Sequence, residues 1–126
     1  MKARREPLQP AYPHFDDHGV PASAFYGDVY HSRAGAIEQA RHVFIRGNNL
    51  PGRWHGRQTF TVCETGFGLG NNFLALWQAW RQSSTAPERL HVLSFEAHPF
   101  SRQHLAEMLA HHQGELRDLA LALLAQ

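Results

Sequence analysis

The chain has 126 residues, 43% of them hydrophobic and 18% charged, with a formal net charge of +1. That length and balance specify one globular domain around one core and exclude wholesale disorder. A single cysteine, Cys63, excludes a disulfide framework and a thiolate metal cluster, and no apolar run approaches the roughly 18 residues of a membrane helix. A soluble, unsecreted, cytoplasmic protein is the reading that follows.

Residues 1–21, rich in proline and charge and without a sustained period, read as an extended arm that packs through Tyr12 and Phe15. Residues 24–30, AFYGDVY, suit a short strand or extended ribbon. Over residues 34–45, Ile37, Ala40, Arg41 and Phe44 recur at helical offsets, and Gly47 offers a left-handed stop. The Asn, Pro and Gly punctuation of residues 48–57 reads as a loop. Lys2, Arg4, Arg5, Arg33, Arg41, Arg46, Arg53 and Arg57 all precede the first strong strand, an asymmetry that suits a phosphate-bearing partner as well as a solvated face.

That strand is TFTVCE, residues 59–64, whose β-branched and apolar run matches a strand buried in a parallel sheet. A glycine-rich turn, residues 65–70, leads into a helix carrying Phe73, Leu76, Trp77 and Trp80 on one face. After a loop, residues 90–96, LHVLSFE, form a second apolar strand that also ends in a carboxylate. Ser101 then caps a helix running to His111 and stopped by Gly114, and Leu116, Leu119, Leu123 and Leu124 mark a last amphipathic helix. The fold class is α/β: a Rossmann-like first β-α-β half over residues 58–126, preceded by an N-terminal extension over residues 1–57. A doubly wound sheet has more strands than the two read here, so the unit is incomplete.

The chemistry sits in E-T-G-F-G-L-G, with Glu64, Gly66, Phe67, Gly68 and Gly70 at the junction of strand and helix and Asn72 just beyond. Glycines at such a junction let the backbone turn tightly and approach a ligand, and amides at the helix start donate to an oxygen or carboxylate. The spacing G-x-G-x-G differs from the dinucleotide fingerprint G-x-G-x-x-G. An acidic residue two places before the first glycine repels a pyrophosphate but suits the ammonium group of a methionine moiety, which favours S-adenosylmethionine over NAD. Glu96, at the end of the second strand, is placed to accept hydrogen bonds from ribose hydroxyls. The plainer alternative is that both carboxylates cap strands and the glycines make a turn. Ten histidines form no H-E-x-x-H array, and His111 and His112 are adjacent and so fall on different helix faces; metal binding is not expected. Asp16, Asp17 and Asp28 read as turn formers, and no nucleophile, base and orienter set can be assembled.

Ordered blocks give a further resemblance. They are P-x-F-D-D-x-G-x-P over residues 13–21, F-x-x-D-V-Y-x-S over 25–32, E-x-x-R-x-V-F over 38–44, Gly47 with Asn48, E-T-G-F-G-L-G-N-N-F-L-x-L-W-Q-A-W over 64–80 and L-S-F-E-x-x-P over 93–99. Together they resemble the methyltransferase domain of the bifunctional enzyme that completes 5-methylaminomethyl-2-thiouridine at the wobble position of transfer RNA. The resemblance implies S-adenosylmethionine as cofactor, with Glu64, Gly66, Gly68 and Gly70 at its methionine end and Glu96 at its ribose. The Asp28 to Tyr30 block and Asn48 would line the same cleft.

It also implies transfer RNA as partner, a catalytic aspartate on a strand beyond this sequence, and FAD only in a separate oxidoreductase domain. No catalytic residue is assigned here. Asn71, where a smaller or aliphatic residue is common, and Ala97 and His98, where a lysine and an aromatic residue are common, depart from the family pattern. The competing expectation is a non-catalytic nucleotide-binding fragment, or one that self-associates through an open sheet edge.

Overall fold

The computed structural model describes residues 7–11, 13–15, 21–23 and 35–126. The strand expected over residues 24–30, the carboxylates Asp16, Asp17 and Asp28, and the side chains of Tyr12 and Phe15 lie outside them.

β1 (Pro13–Phe15) pairs antiparallel with β2 (Pro21–Ser23), so the opening read as an extended arm contributes to a short ribbon. Helix α1 (Ala36–Gln39) continues as a π-helical segment (Ala40–Ile45) and a 3-10 turn (Arg46–Asn48). The left-handed stop falls on Asn49, φ 53°, two residues beyond the Gly47 expected from sequence; asparagine is among the few side chains that tolerate this region. The loop that follows holds a second 3-10 turn (Gly52–Trp54).

Strand β3 (Thr59–Thr65) pairs in parallel with β4 (Arg89–Phe95), with helix α2 (Asn71–Gln82) between them in sequence. The β-α-β order expected from the residues is therefore observed, with strand ends within one residue of the reading. Burial differs. In β3, Phe60, Val62 and Glu64 turn inward while Thr59, Thr61, Cys63 and Thr65 are exposed. In β4, Leu90 and Val92 turn inward while Leu93 and Phe95 are 55% and 62% exposed. The strands were expected to be buried on both faces; among the described residues the helices cover one face of this two-stranded sheet.

Helix α2 is the centre of the packing. Its Ala75 and Leu76 join Ala40, Ile45, Leu50 and Trp54 in one apolar cluster, against which Phe60, Val62, Leu90 and Val92 of the sheet pack. Its Leu74 joins Leu109, Leu119 and Ala120 in a second cluster, with Phe73 and Trp77 alongside. The helix thus buries two faces: Leu76, on the face read from sequence, is fully enclosed, as is Leu74 outside it, while Phe73, Trp77 and Trp80 are half-buried. The most deeply buried aromatic residue is Trp54, fully enclosed, edge-on to Phe60 at 6.2 Å between ring centroids.

Helix α3 (Arg102–Leu109) opens as expected on Ser101, whose Oγ accepts from the His104 amide at 3.2 Å. It ends before His111, and Gly114 begins helix α4 (Gly114–Leu124) instead of stopping α3. His111 and His112 therefore lie in the turn between helices, with ring centroids 4.6 Å apart, and not on opposite faces of one helix. No helix among the described residues is long and apolar enough to cross a membrane.

Candidate functional site

The strand-turn-helix junction builds the site. As β3 ends, Gly66 donates its amide to the Phe95 carbonyl at 2.6 Å, holding the turn against the neighbouring strand. Gly68 and Gly70 then take φ of 54° and 78°, a region that costs other residues about 1–2 kcal/mol each. At Gly70 a side chain is further barred by contact, since a Cβ would lie 2.8 Å from Phe67 Cζ and 3.3 Å from Leu123 Cδ2. At Gly66 and Gly68 the opposite holds: no heavy atom lies within 4 Å of a Cβ. Tight packing behind the turn and open space in front of it make a cradle.

That space is a cleft of about 200 Å³. Gly66, Phe67, Gly68, Asn71 and Asn72 form one wall, while Ala36, Gln39, Ala40, Val43 and Phe44 form the other. Helix α2 starts on this cleft, so its first-turn amides, which have no partner within the helix, give it a positive end. A cleft this size is smaller than the ~300–1,000 Å³ of a pocket enclosing a drug-sized ligand, and suits one end of a larger molecule.

Both carboxylates expected at the site are bonded to the turn or its neighbours but do not line the cleft. Glu64 is 5% exposed, its Oε1 accepting from the Ser94 hydroxyl at 2.6 Å and its Oε2 from Asn72 Nδ2 at 3.5 Å. Glu96 accepts from the Gly68 amide through Oε2 and from the His98 amide through Oε1, both at 2.9 Å. A loop amide that the sequence offers to a ligand is thus held by a residue of the same proposed set. Of the sequence-derived residues, Gly66, Phe67, Gly68 and Asn72 line the cleft; Gly70, Glu64 and Glu96 shape the turn beneath them. Asn48 is drawn elsewhere, its Nδ2 donating to the Phe44 carbonyl at 2.7 Å.

Sequence reasoning did not anticipate the second wall. The block E-x-x-R-x-V-F carries it: Arg41 pairs with Glu38 and donates to Gln78 Oε1 on α2 at 2.8 Å, which docks the π-helical segment beside the glycine turn. Single π-helical turns recur at functional sites because the widened turn re-aims side chains. Here Val43 and Phe44 face the glycines across the cleft. Among the described residues no group of three or more His, Cys, Asp or Glu side chains could hold a metal ion.

Comparisons with known proteins find relatives that share one name. The chain is 55% identical over 117 residues to the tRNA 5-methylaminomethyl-2-thiouridine biosynthesis bifunctional protein MnmC of Aromatoleum aromaticum, covering 93% of the chain and 18% of that protein. Proteins of the same name match from Burkholderia multivorans, 58% identical over 82% of the chain and 16% of the relative, and from Paraburkholderia phytofirmans, 51% identical over 96% and 18%. The chain therefore spans under one fifth of the length of these curated relatives. Among solved structures, MNMC2 from Aquifex aeolicus superposes with a TM-score of 0.59 at 24% identity, covering 85% of this chain and 40% of that one, which shows a shared fold. No protein-family model matches the chain.

Proposed function

We propose, for a chain homologous over most of its length to one segment of the MnmC bifunctional proteins, that it forms the methyl-donor cradle of an S-adenosylmethionine-dependent transfer-RNA methyltransferase. In this reading the β-α-β unit is the first half of a Rossmann-like domain, and the parent enzyme methylates the aminomethyl group of 5-aminomethyl-2-thiouridine at the wobble position. A cytoplasmic setting goes with that substrate.

The observation that carries the reading is the pair of glycines, Gly66 and Gly68, with positive φ and unobstructed space on the cleft side. When bound, the donor supplies a methyl group already activated on a sulfonium, so no metal is required of the protein. The chain's own residues bind and orient. The turn glycines allow close backbone approach, and the α2 N-terminus favours a carboxylate. Buried Glu64 adds the negative charge that an ammonium group would favour, and holds Asn72 in place. Glu96 fixes the turn through the Gly68 amide and is, in this reading, the carboxylate whose bond to that amide would give way to the ribose hydroxyls. No residue of this chain is assigned to proton transfer, and no FAD site is assigned to it.

Isothermal titration of the chain with S-adenosylhomocysteine and with NADH tests this. Binding of the former, lost in Gly68→Val, is the expected result; binding of NADH alone, or affinity for S-adenosylhomocysteine unchanged by Gly68→Val, would overturn it.

A second reading, self-association, is favoured by the exposed Leu93 and Phe95 on the uncovered sheet face and by two strands that have no further partner among the described residues. Sedimentation equilibrium over a hundredfold concentration range checks it. A monomer throughout sinks this reading alone.

A further inference from the structure

Asn71 is the first residue of α2, adjacent to Gly70, and lines the cleft. Its Oδ1 lies 3.3 Å from Nε2 of His112, which is 41 residues away in the turn between α3 and α4. His112 does not line the cleft and is 6% exposed. It is one of two buried polar or charged side chains among the described residues, the other being Glu64. A buried ring nitrogen requires a partner, and the fold supplies it from the site rather than from a neighbouring backbone carbonyl.

We propose that His112 is a positioning residue of the cleft: it engages the Oδ1 end of Asn71 and so presents the Nδ2 end, a hydrogen-bond donor, to the anionic end of the bound ligand. This deepens the donor-cradle reading and rests on it.

A carboxamide has one accepting and one donating end, and without a fixed partner it presents either. An imidazole with its proton on Nε2 donates to Oδ1 and removes that ambiguity. Burial, and secondarily the neighbouring His111, hold the His112 pKa below its ordinary value, which keeps the ring uncharged with a single N–H. The His112 main chain is held by its amide donating to the Leu109 carbonyl at 3.2 Å, and the enclosed ring lies against His111. At a helix N-terminus an added donor works with the first-turn amides, so the arrangement selects a carboxylate over an ammonium group at that end of the cleft. The carboxamide of Asn71 is what gives His112 something to orient.

The test measures S-adenosylhomocysteine affinity by isothermal titration, with thermal unfolding recorded for each variant. His112→Leu is expected to weaken binding about tenfold, the worth of one hydrogen bond, and Asn71→Ala by a similar factor. The double variant should be no weaker than Asn71→Ala, and His112→Gln, which keeps a donor, should stay within about threefold of the wild type. Additive losses in the double variant, or His112→Gln as damaging as His112→Leu, would show a purely structural role and overturn the proposal. His112→Leu that binds like the wild type overturns it as well. A wild-type chain that does not bind S-adenosylhomocysteine overturns the cradle reading and this inference together. Should His112→Leu not fold, His112→Gln and Asn71→Ala decide the outcome.

Discussion

Glu64 and Ser94 stand directly opposite one another in the parallel ladder, and the Ser94 hydroxyl donates to Glu64 Oε1 at 2.6 Å. The bond joins the two strands at the level of the glycine turn and satisfies a carboxylate that is otherwise enclosed. Ser94→Ala should therefore lower stability by about 1–2 kcal/mol, within the range for a hydrogen bond to a charged group. Urea unfolding reads it as a lower midpoint at unchanged slope. An unchanged midpoint would mean that water replaces the hydroxyl.

Gly68 and Gly70 share a backbone conformation but not a neighbourhood, and that contrast separates folding from binding. Gly70→Ala adds a Cβ against Phe67 and Leu123 and should cost about 1–3 kcal/mol of stability. Gly68→Ala meets no atom, so its stability cost is limited to about 1–2 kcal/mol of backbone strain. Its larger effect is expected on ligand affinity. Thermal unfolding beside titration calorimetry on both variants distinguishes the two; equal ratios of stability loss to affinity loss would contradict the assignment.

Trp54 carries the cluster between the π-helical segment, α2 and the sheet, with its Nε1 donating to Ser83 Oγ at 3.4 Å. Trp54→Ala should cost about 3–5 kcal/mol, as for large buried aromatics. Loss of far-UV helical signal at ambient temperature, or a fall of that size in denaturant stability, is the expected result. A loss below about 1 kcal/mol would show that the cluster collapses around the gap.

The core of the site was legible because its elements announce themselves locally. β-branched runs ending in Glu64 and near Glu96 specify strands, and glycines between the first of them and an amphipathic run specify a turn. What was not legible depends on contacts distant in sequence. Trp54 sits among Pro, Gly and Arg residues that read as loop, and only the fold encloses it. Asn49 rather than Gly47 takes the left-handed position because the π-helical segment runs on into a 3-10 turn that carries the chain past Gly47 before it reverses. Leu93 and Phe95 look like core residues, and their exposure follows from which helices cover the sheet, which no local pattern records. His112 falls in a turn, and its partner Asn71 belongs to another element altogether.

His112 also gives the protein a pH dependence. Its folded pKa lies below the ordinary imidazole value of about 6.5, so between the two the unfolded chain binds more protons than the folded one. Stability from this group is fully present above about pH 6.5 and is lost as pH falls through the folded value. Chemical denaturation at pH 7.5 and at pH 5 should show the wild type losing more stability on acidification than His112→Gln. Equal losses would place the acid sensitivity elsewhere.

Helix α2 lies between the two apolar clusters and contributes to both: Leu74 to one, Ala75 and Leu76 to the other. Neither cluster can dissolve without exposing part of the other, so the sheet side and the α3–α4 side should not melt as separate units. The slowest amide hydrogens in the molecule are accordingly expected in the middle of α2, exchanging only through global opening. The first residues of that same helix border the cleft. A ligand held there would be gripped by the last part of the protein to unfold, and its affinity should register directly as slower exchange along the whole of α2.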